Sequence, residues 1–158
     1  MNKAFVFDFD DTIATTDCKV IVRRWGKEIA RLTPAEYNSY PLADDCKFDY
    51  SEFRRLINPV PLFLLHLAKE VHDEYHSVYI LTARGSAVRD SIADFLQTYG
   101  IKAKEIHCVG DSKENLELEK RKVLLTIMEN YDRLYVYDDH KGNIDATPDS
   151  DKVRKYLV

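Results

Sequence analysis

The sequence predicts an α/β fold, with a Rossmann-like, doubly wound parallel sheet and helices on both of its faces. Short apolar segments of strand length alternate along the chain with segments of helical periodicity. Several of the apolar segments end in acids or a threonine, and the carboxyl ends of parallel strands are where open α/β sheets bind ligands. The length of 158 residues is enough for one domain with a substantial core.

The first predicted strand carries the strongest signal. Residues 4–7 are all apolar, as in a strand that is buried on both faces. Asp8, Asp10 and Asp11 follow it directly. Because closely packed carboxylates repel each other unless a cation lies among them, this strand end predicts a metal site.

Residues 15–58 are predicted to form a small, helical, cap-like insertion after the first strand. A helix is expected over residues 15–32, starting at Thr16 or Asp17, and a short helix over residues 50–57. The segment is too long for a simple connection between a strand and a helix. It can cover the site, or it can be an inert surface excursion, and the sequence supports both equally.

The rest of the chain is expected to continue the alternation within a single domain over residues 1–158. The predicted order is helix 59–76, strand 78–81, helix 86–99, strand 105–109, helix 114–131, strand 134–137, a turn-rich loop 140–151 and strand 154–158.

Composition narrows the classes of protein to consider. A net charge of −4 gives no overall basic field of the kind that nucleic-acid-binding domains show, although this sum is compatible with a local basic groove. Cys18, Cys46 and Cys108 lie far apart and are odd in number, which favours a reducing compartment. With no signal peptide and no membrane-spanning segment evident, we expect a soluble cytoplasmic protein.

Three predicted strands end in polar residues of the right type. Asp8 and Asp10 follow the first, Thr82 ends the second, and Asp138 and Asp139 end the fourth. Since these ends share one edge of a parallel sheet, we expect the side chains to converge. An isolated acid at a strand end is usually a helix cap, but agreement among three strands favours a site.

A cation is expected to join them. At about 100° per residue, Lys120 falls on the same face as the apolar stripe over residues 123–131, whereas Lys122 points away from it. Lys120 is therefore predicted to face the sheet, although a lysine at the rim of the core can also extend towards water.

Together these residues resemble the four motifs of the haloacid dehalogenase superfamily, in the family's order and over nearly the whole chain. The wording of the second and fourth motifs is most similar to the phage and bacterial phosphatases, a branch that includes the phosphatase domain of polynucleotide kinase-phosphatases. The motif residues are Asp8-Phe-Asp10-Asp-Thr12, Thr82 within Ile80-Leu-Thr-Ala-Arg84, Lys120, and Asp138-Asp139.

The resemblance implies a role for each residue. Asp8 would attack phosphorus to form an aspartyl-phosphate, and Asp10 would act as general acid and then as general base. Thr82 and Lys120 would bind the phosphoryl oxygens. Arg84 is a candidate for binding a second phosphate or another edge of the substrate, or for a surface ion pair.

The resemblance also implies Mg²⁺ as the cofactor. Asp8, the backbone carbonyl of Asp10 and one acid of the fourth motif would hold the ion. Asp138 and Asp139 are both candidates for that last ligand.

The function that follows is a Mg²⁺-dependent phosphomonoesterase. Its substrate would be a nucleic-acid 3′-phosphate end, a nucleotide or a small phosphate ester, and no membrane partner is expected. One alternative is a receiver-like phosphoacceptor module that uses Asp111, and another is a non-catalytic binding protein with the same fold. The sequence leaves the oligomeric state open.

Overall fold

The computed structural model describes residues 1–158, and its strands and helices alternate along the chain. The strands are β1 (Lys3–Phe7), β2 (Ala14–Thr15), β3 (Val20–Arg24), β4 (Lys27–Leu32), β5 (Cys46–Asp49), β6 (Val60–Pro61), β7 (Ser77–Thr82), β8 (Glu105–Cys108), β9 (Arg133–Asp138) and β10 (Val153–Leu157). The helices are α1 (Pro34–Asn38), α2 (Phe63–Asp73), α3 (Arg89–Thr98), α4 (Leu116–Met128) and α5 (Lys141–Ala146).

A five-stranded parallel sheet forms the centre, in the order β8-β7-β1-β9-β10. The chain builds outward from β1 to β7 and β8, then returns to the other side of β1 for β9 and β10. The direction of winding therefore reverses between β1 and β9. Such a reversal opens a crevice at the carboxyl ends of the two strands, where α/β proteins bind their ligands.

Both faces of this sheet are covered by helices, as the sequence predicts. Phe5 and Phe7 of β1 pack into a core with α2 and α3. Ala4 and Val6, which point to the opposite face, pack into a second core with α4. Burial on both faces explains why β1 is apolar at consecutive positions.

The prediction of a helix over residues 15–32 is wrong. This segment forms the antiparallel hairpin β3–β4, and β5 joins it to make a three-stranded sheet in the order β4-β3-β5. Residues 20–22 are all β-branched and favour a strand. Trp25 and Gly26 form the two-residue turn with φ of 50° and 79°, as a type I′ turn requires. The insertion is therefore built mainly of strands, and it is not helical.

The insertion has a small core of its own. One five-residue helix, α1, accompanies the three strands, and its N-cap Thr33 forms a reciprocal capping box with Glu36. The short helix expected over residues 50–57 is a 3₁₀ turn over Ser51–Arg54. The core of the three-stranded sheet, which we call the insertion sheet, consists of Val20, Val22, Leu32 and Cys46.

Two further boundaries differ from the predictions. The helix expected over residues 59–76 begins only at Phe63, because β6 pairs with β2 and closes the base of the insertion. The loop expected over residues 140–151 contains α5, which His140 caps by accepting a hydrogen bond from the Asn143 backbone N–H. The sequence pattern does not predict this helix, because only Ile144 of its six residues is buried and apolar.

None of the helices combines the length and the apolar character that crossing a bilayer demands.

Gly110 provides a test of how tightly the loops after β7 and β8 pack. Its N–H donates to the Arg84 carbonyl (2.9 Å), and a Cβ at this position would overlap the Ala83 carbonyl oxygen. We expect Gly110→Ala to lower the free energy of unfolding by about 1–3 kcal/mol, as overpacking against backbone does. Urea denaturation measures the change.

Gly142→Ala is the matched control. A Cβ there would meet only side-chain atoms, those of Glu117 and the His140 ring, which can shift where backbone cannot, and alanine is a better helix former than glycine. Equal destabilisation by the two variants would contradict the assignment of a backbone clash at Gly110.

Candidate active site

Two acids meet at the crevice between β1 and β9. Asp8 directly follows β1, and Asp138 is the last residue of β9. The strand register pairs Phe7 with Tyr137, and the Asp8 N–H donates to the Tyr137 carbonyl at 2.9 Å. The parallel pairing therefore brings the two acids side by side, although 130 residues separate them along the chain.

Lys120 lies between these two acids. Its ammonium donates to Asp8 Oδ1 at 3.2 Å and to Asp138 Oδ2 at 2.9 Å. The side chain is buried, whereas that of Lys122 is exposed. The prediction that Lys120 faces the sheet is confirmed, and its helical periodicity was the signal.

Burial controls the protonation of this group. Burial raises the pKa of Asp8 well above its usual range, and the charges of Asp138 and Asp139 add to that rise against the opposing effect of Lys120. For Lys120, burial disfavours the ammonium, but Asp8 and Asp138 outweigh it and raise its pKa. Lys120 therefore stays charged. Its single positive charge cannot compensate the negative charge of all the acids around it.

Asp139 completes a cluster that can hold a metal ion. One carboxylate oxygen from each of Asp8, Asp138 and Asp139 lies within 4.8 Å of the others, and only Asp139 is exposed. When all three acids are ionised, the three carboxylates and the one ammonium sum to a charge of −2. A divalent cation would neutralise this sum, and an all-oxygen donor set suits Mg²⁺. The residues present therefore fit the ion that the sequence predicts.

Asp138 is held in place by three donors. Besides Lys120, its carboxylate accepts hydrogen bonds from the His140 N–H (2.9 Å) and from Asn143 Nδ2 (3.0 Å). Sequence reasoning missed Asn143, because the residue lies on α5, in a segment expected to be a loop. Both Asp138 and Asp139 stay candidates for the metal ligand.

Thr82 lies at the same edge, at the end of β7, next to β1. It is fully buried, and its hydroxyl oxygen accepts a hydrogen bond from the Arg84 N–H at 3.1 Å. The hydroxyl hydrogen is therefore available to another acceptor.

Arg84 makes the most extensive contacts of any side chain here. Its Nε and Nη2 donate hydrogen bonds to the two carboxylate oxygens of Asp10, both at 2.8 Å. Burial disfavours its charge, but Asp10 outweighs burial, and the pKa of Arg84 rises. A bidentate pair of this kind restricts both the position and the orientation of the carboxylate.

The other donors of Arg84 reach the insertion. Nη1 donates to the carbonyls of Phe53 (3.1 Å) and Arg55 (2.8 Å), and Nη2 also donates to Thr16 Oγ1 (3.1 Å). All five N–H groups of the guanidinium are thereby used. These contacts leave no donor for a substrate phosphate in this structure, and they favour a positioning role for Arg84.

Partial desolvation and the nearby charges of Asp139 and Asp10 raise the pKa of Asp11, but its backbone conformation assigns it to a turn. It is exposed and has a φ of 60°, and its N–H closes a turn onto the Ala14 carbonyl at 2.8 Å. Asn and Asp are the residues that tolerate this left-handed backbone best after glycine. The structure thus places Asp11 in the turn after β1.

Asp111, the residue on which the receiver-like alternative depends, lies elsewhere. It follows β8, an edge strand, and its carboxylate accepts from the backbone N–H and the hydroxyl of Ser86. These hydrogen bonds lower its pKa. It does not belong to the cluster of acids around Lys120.

No protein-family model and no curated protein matches this chain. The resemblance to the haloacid dehalogenase superfamily therefore stays a prediction.

Removing the cation tests the electrostatics of the cluster. Lys120→Met leaves Asp8 and Asp138 buried without a compensating cation, so we expect the free energy of unfolding to fall by about 3–5 kcal/mol. Urea denaturation in the presence of a chelator measures the loss, and saturating Mg²⁺ should restore part of it.

Lys122→Met is the control, since it makes the same chemical change on the same helix but on its exposed side. It should shift the stability by no more than about 0.5 kcal/mol. A similar loss for both lysines would mean that the buried pairing contributes nothing specific.

Proposed function

We propose that the protein is a Mg²⁺-dependent phosphomonoesterase with a Rossmann-like, haloacid-dehalogenase-like fold. The observation that carries the proposal is the cluster of Asp8, Lys120, Asp138 and Asp139 at the reversal point of a parallel sheet. The cluster combines a buried carboxylate nucleophile, a fixed cation and a set of oxygen ligands. These are the parts that phosphoryl transfer requires.

In the first step, an oxygen of Asp8 attacks phosphorus. The new bond joins that oxygen to the phosphoryl group, and the bond from phosphorus to the ester oxygen breaks. Asp10 enters this step protonated, with one of its two hydrogen bonds from Arg84 released, and donates that proton to the departing alcohol. Lys120 and the Thr82 hydroxyl bind the phosphoryl oxygens as negative charge spreads over them.

In the second step, water releases the phosphoryl group. Asp10, now a carboxylate, accepts a proton from the water as it attacks phosphorus, and the bond to Asp8 breaks. Inorganic phosphate leaves, and both carboxyl groups return to their starting states.

Asp8, the Asp10 carbonyl and one or both of Asp138 and Asp139 would hold the ion. When bound, Mg²⁺ would offset the repulsion between the anionic nucleophile and the anionic phosphate.

The substrate is proposed at the level of its chemistry. A nucleic-acid 3′-phosphate end, a nucleotide and a small phosphate ester all present the phosphomonoester that this cluster suits. Screening nucleotides, sugar phosphates and oligonucleotides with 3′- or 5′-phosphates would separate them, and the receiver-like alternative would show instead as a stable phosphate on Asp111.

Replacing the nucleophile tests the reaction directly. Asp8→Asn should lower the hydrolysis of p-nitrophenyl phosphate at least about 1,000-fold, because an amide oxygen is a poor nucleophile. A chelator should abolish the wild-type activity, and added Mg²⁺ should restore it. Continuous absorbance of nitrophenolate measures both effects.

Asp11→Asn is the matched control, since it neutralises an adjacent acid in a turn whose backbone suits asparagine. It should keep most of the activity. Activity that survives Asp8→Asn, or that persists without any divalent metal, would refute the proposed phosphatase, and a wild-type protein that hydrolyses no phosphate ester would favour a non-catalytic role.

Arg84→Lys tests whether the guanidinium positions Asp10. Lysine cannot form the bidentate pair, so protonation of the leaving group should suffer most. We expect kcat to fall about 100-fold more for an alkyl phosphate, which needs that proton, than for 2,4-dinitrophenyl phosphate, which does not. A rise in KM of equal size for both esters would show that Arg84 binds substrate instead.

A further inference from the structure

The side chain of Trp25 belongs to none of the hydrophobic cores. It is the only tryptophan of the chain, it stands at the tip of the β3–β4 hairpin, and 84% of it is exposed. Its φ of 50° lies in the left-handed region, which costs a residue with a side chain about 1–2 kcal/mol. A large aromatic residue with a strained backbone and an exposed ring is a candidate for contacting a ligand, and the surroundings of Trp25 decide which kind.

The ring borders a cavity of about 590 Å³ on the insertion sheet. Two more aromatic residues, Phe48 and Tyr50, line the same cavity, with their ring centroids 6.1 Å apart. A volume of this size is in the range of sites for small organic ligands and single nucleotides.

The acids of the cavity are already paired. Asp49 accepts from Arg23 at 2.7 Å, and Asp45 pairs with Arg24 at 3.1 Å. Their negative charge is therefore compensated within the insertion itself.

Two cations that line the cavity have no acidic partner. Lys47 and Arg54 both line it, both are exposed, and neither forms an ion pair. The cavity thus presents the exposed Trp25 ring together with two cations that have no acidic partner. This is the combination that binds single-stranded nucleic acid, whose bases stack on rings while its phosphates contact cations.

The cavity is connected to the candidate active site through the 3₁₀ turn. Arg54 belongs to the 3₁₀ turn of the insertion, and its neighbour Phe53 packs its ring 4.8 Å from the Arg84 guanidinium carbon. Arg84 in turn grips Asp10, the residue on the leaving-group side of the reaction. The segment that lines the cavity is therefore linked to Asp10 through Arg84.

We propose that the insertion sheet binds a single strand of nucleic acid, with a base stacked on Trp25 and the adjacent phosphates at Lys47 and Arg54. This inference deepens the proposed function, and it rests on that function for the terminal phosphate at Asp8. A duplex would hide its base faces from Trp25, so the occupant is a single strand. Binding to a protein partner is the outcome that the experiment must separate from it.

The emission of Trp25 provides a direct test in the full chain. The Asp8→Asn protein is titrated with oligothymidylate and oligouridylate that carry a free 3′-hydroxyl, so neither catalysis nor a phosphomonoester contributes. We expect either strand to quench the emission, because a stacked base contacts the only indole. The logarithm of the association constant should fall with the logarithm of salt concentration with a slope of about −1.4, for two phosphate contacts on a single strand.

Trp25→Asn separates a role in binding from a role in folding. Asparagine before glycine is a preferred type I′ turn, so the hairpin should be retained and the protein should become no less stable. Binding of a fluorescently labelled strand, measured by anisotropy, should weaken at least about fivefold, as the loss of one stacked base predicts. Replacing both Lys47 and Arg54 by glutamine should remove most of the salt dependence.

Tyr75→Asn is the matched control. Tyr75 is another exposed aromatic residue with a positive φ (67°), and it lines a different cavity, one that includes His72 and Lys102. Its replacement should leave the affinity for the strand unchanged.

The outcomes are distinct. An absence of quenching at strand concentrations up to about 1 mM would overturn the proposal, and so would an affinity that Trp25→Asn leaves unchanged. Quenching by a strand in a protein whose wild type hydrolyses no phosphate ester would contradict the proposed function alone. An active phosphatase without quenching would contradict this inference alone, and the exposed rings would then favour a protein partner.

Discussion

Asp8 and Asp138 are two buried carboxylates in one crevice, and the ammonium of Lys120 is what lets them lie there together. Lys120 contacts both at about hydrogen-bonding distance and is itself buried, so each of the three charges depends on the others. Removing one of these three charges leaves another buried charge uncompensated. This costs far more stability than the loss of a surface ion pair. The pairing of β1 with β9 and the docking of α4 on the sheet are therefore linked through this site.

Arg84 connects this site to the insertion. One guanidinium holds both oxygens of Asp10 and two backbone carbonyls of the insertion, so the proposed acid and the segment above it share one support. Any movement of the 3₁₀ turn relative to the sheet would break these hydrogen bonds. The Asp10 side of the site is thus coupled to the part of the protein that carries Trp25.

The insertion shows where pattern reasoning fails. Apolar residues recur between positions 20 and 32 at spacings that suit a helix, yet residues 20–22 are β-branched and Gly26 permits a tight turn. The two signals conflict, and pairing with β5, which lies more than 20 residues away, decides in favour of strands. Such non-local pairing is absent from any window of local sequence, and this is why strand propensity depends so strongly on context.

The sequence alone determined the central α/β architecture, the acids at the strand ends and the inward direction of Lys120. These features follow from local periodicity and from the rule that parallel strands end at one edge. Only the tertiary structure decided that Asn143 orients Asp138, that Arg84 holds Asp10 instead of lying free, and that the insertion presents Trp25 beside a cavity. Each of these depends on contacts between distant residues, whose geometry is set by how the whole chain packs.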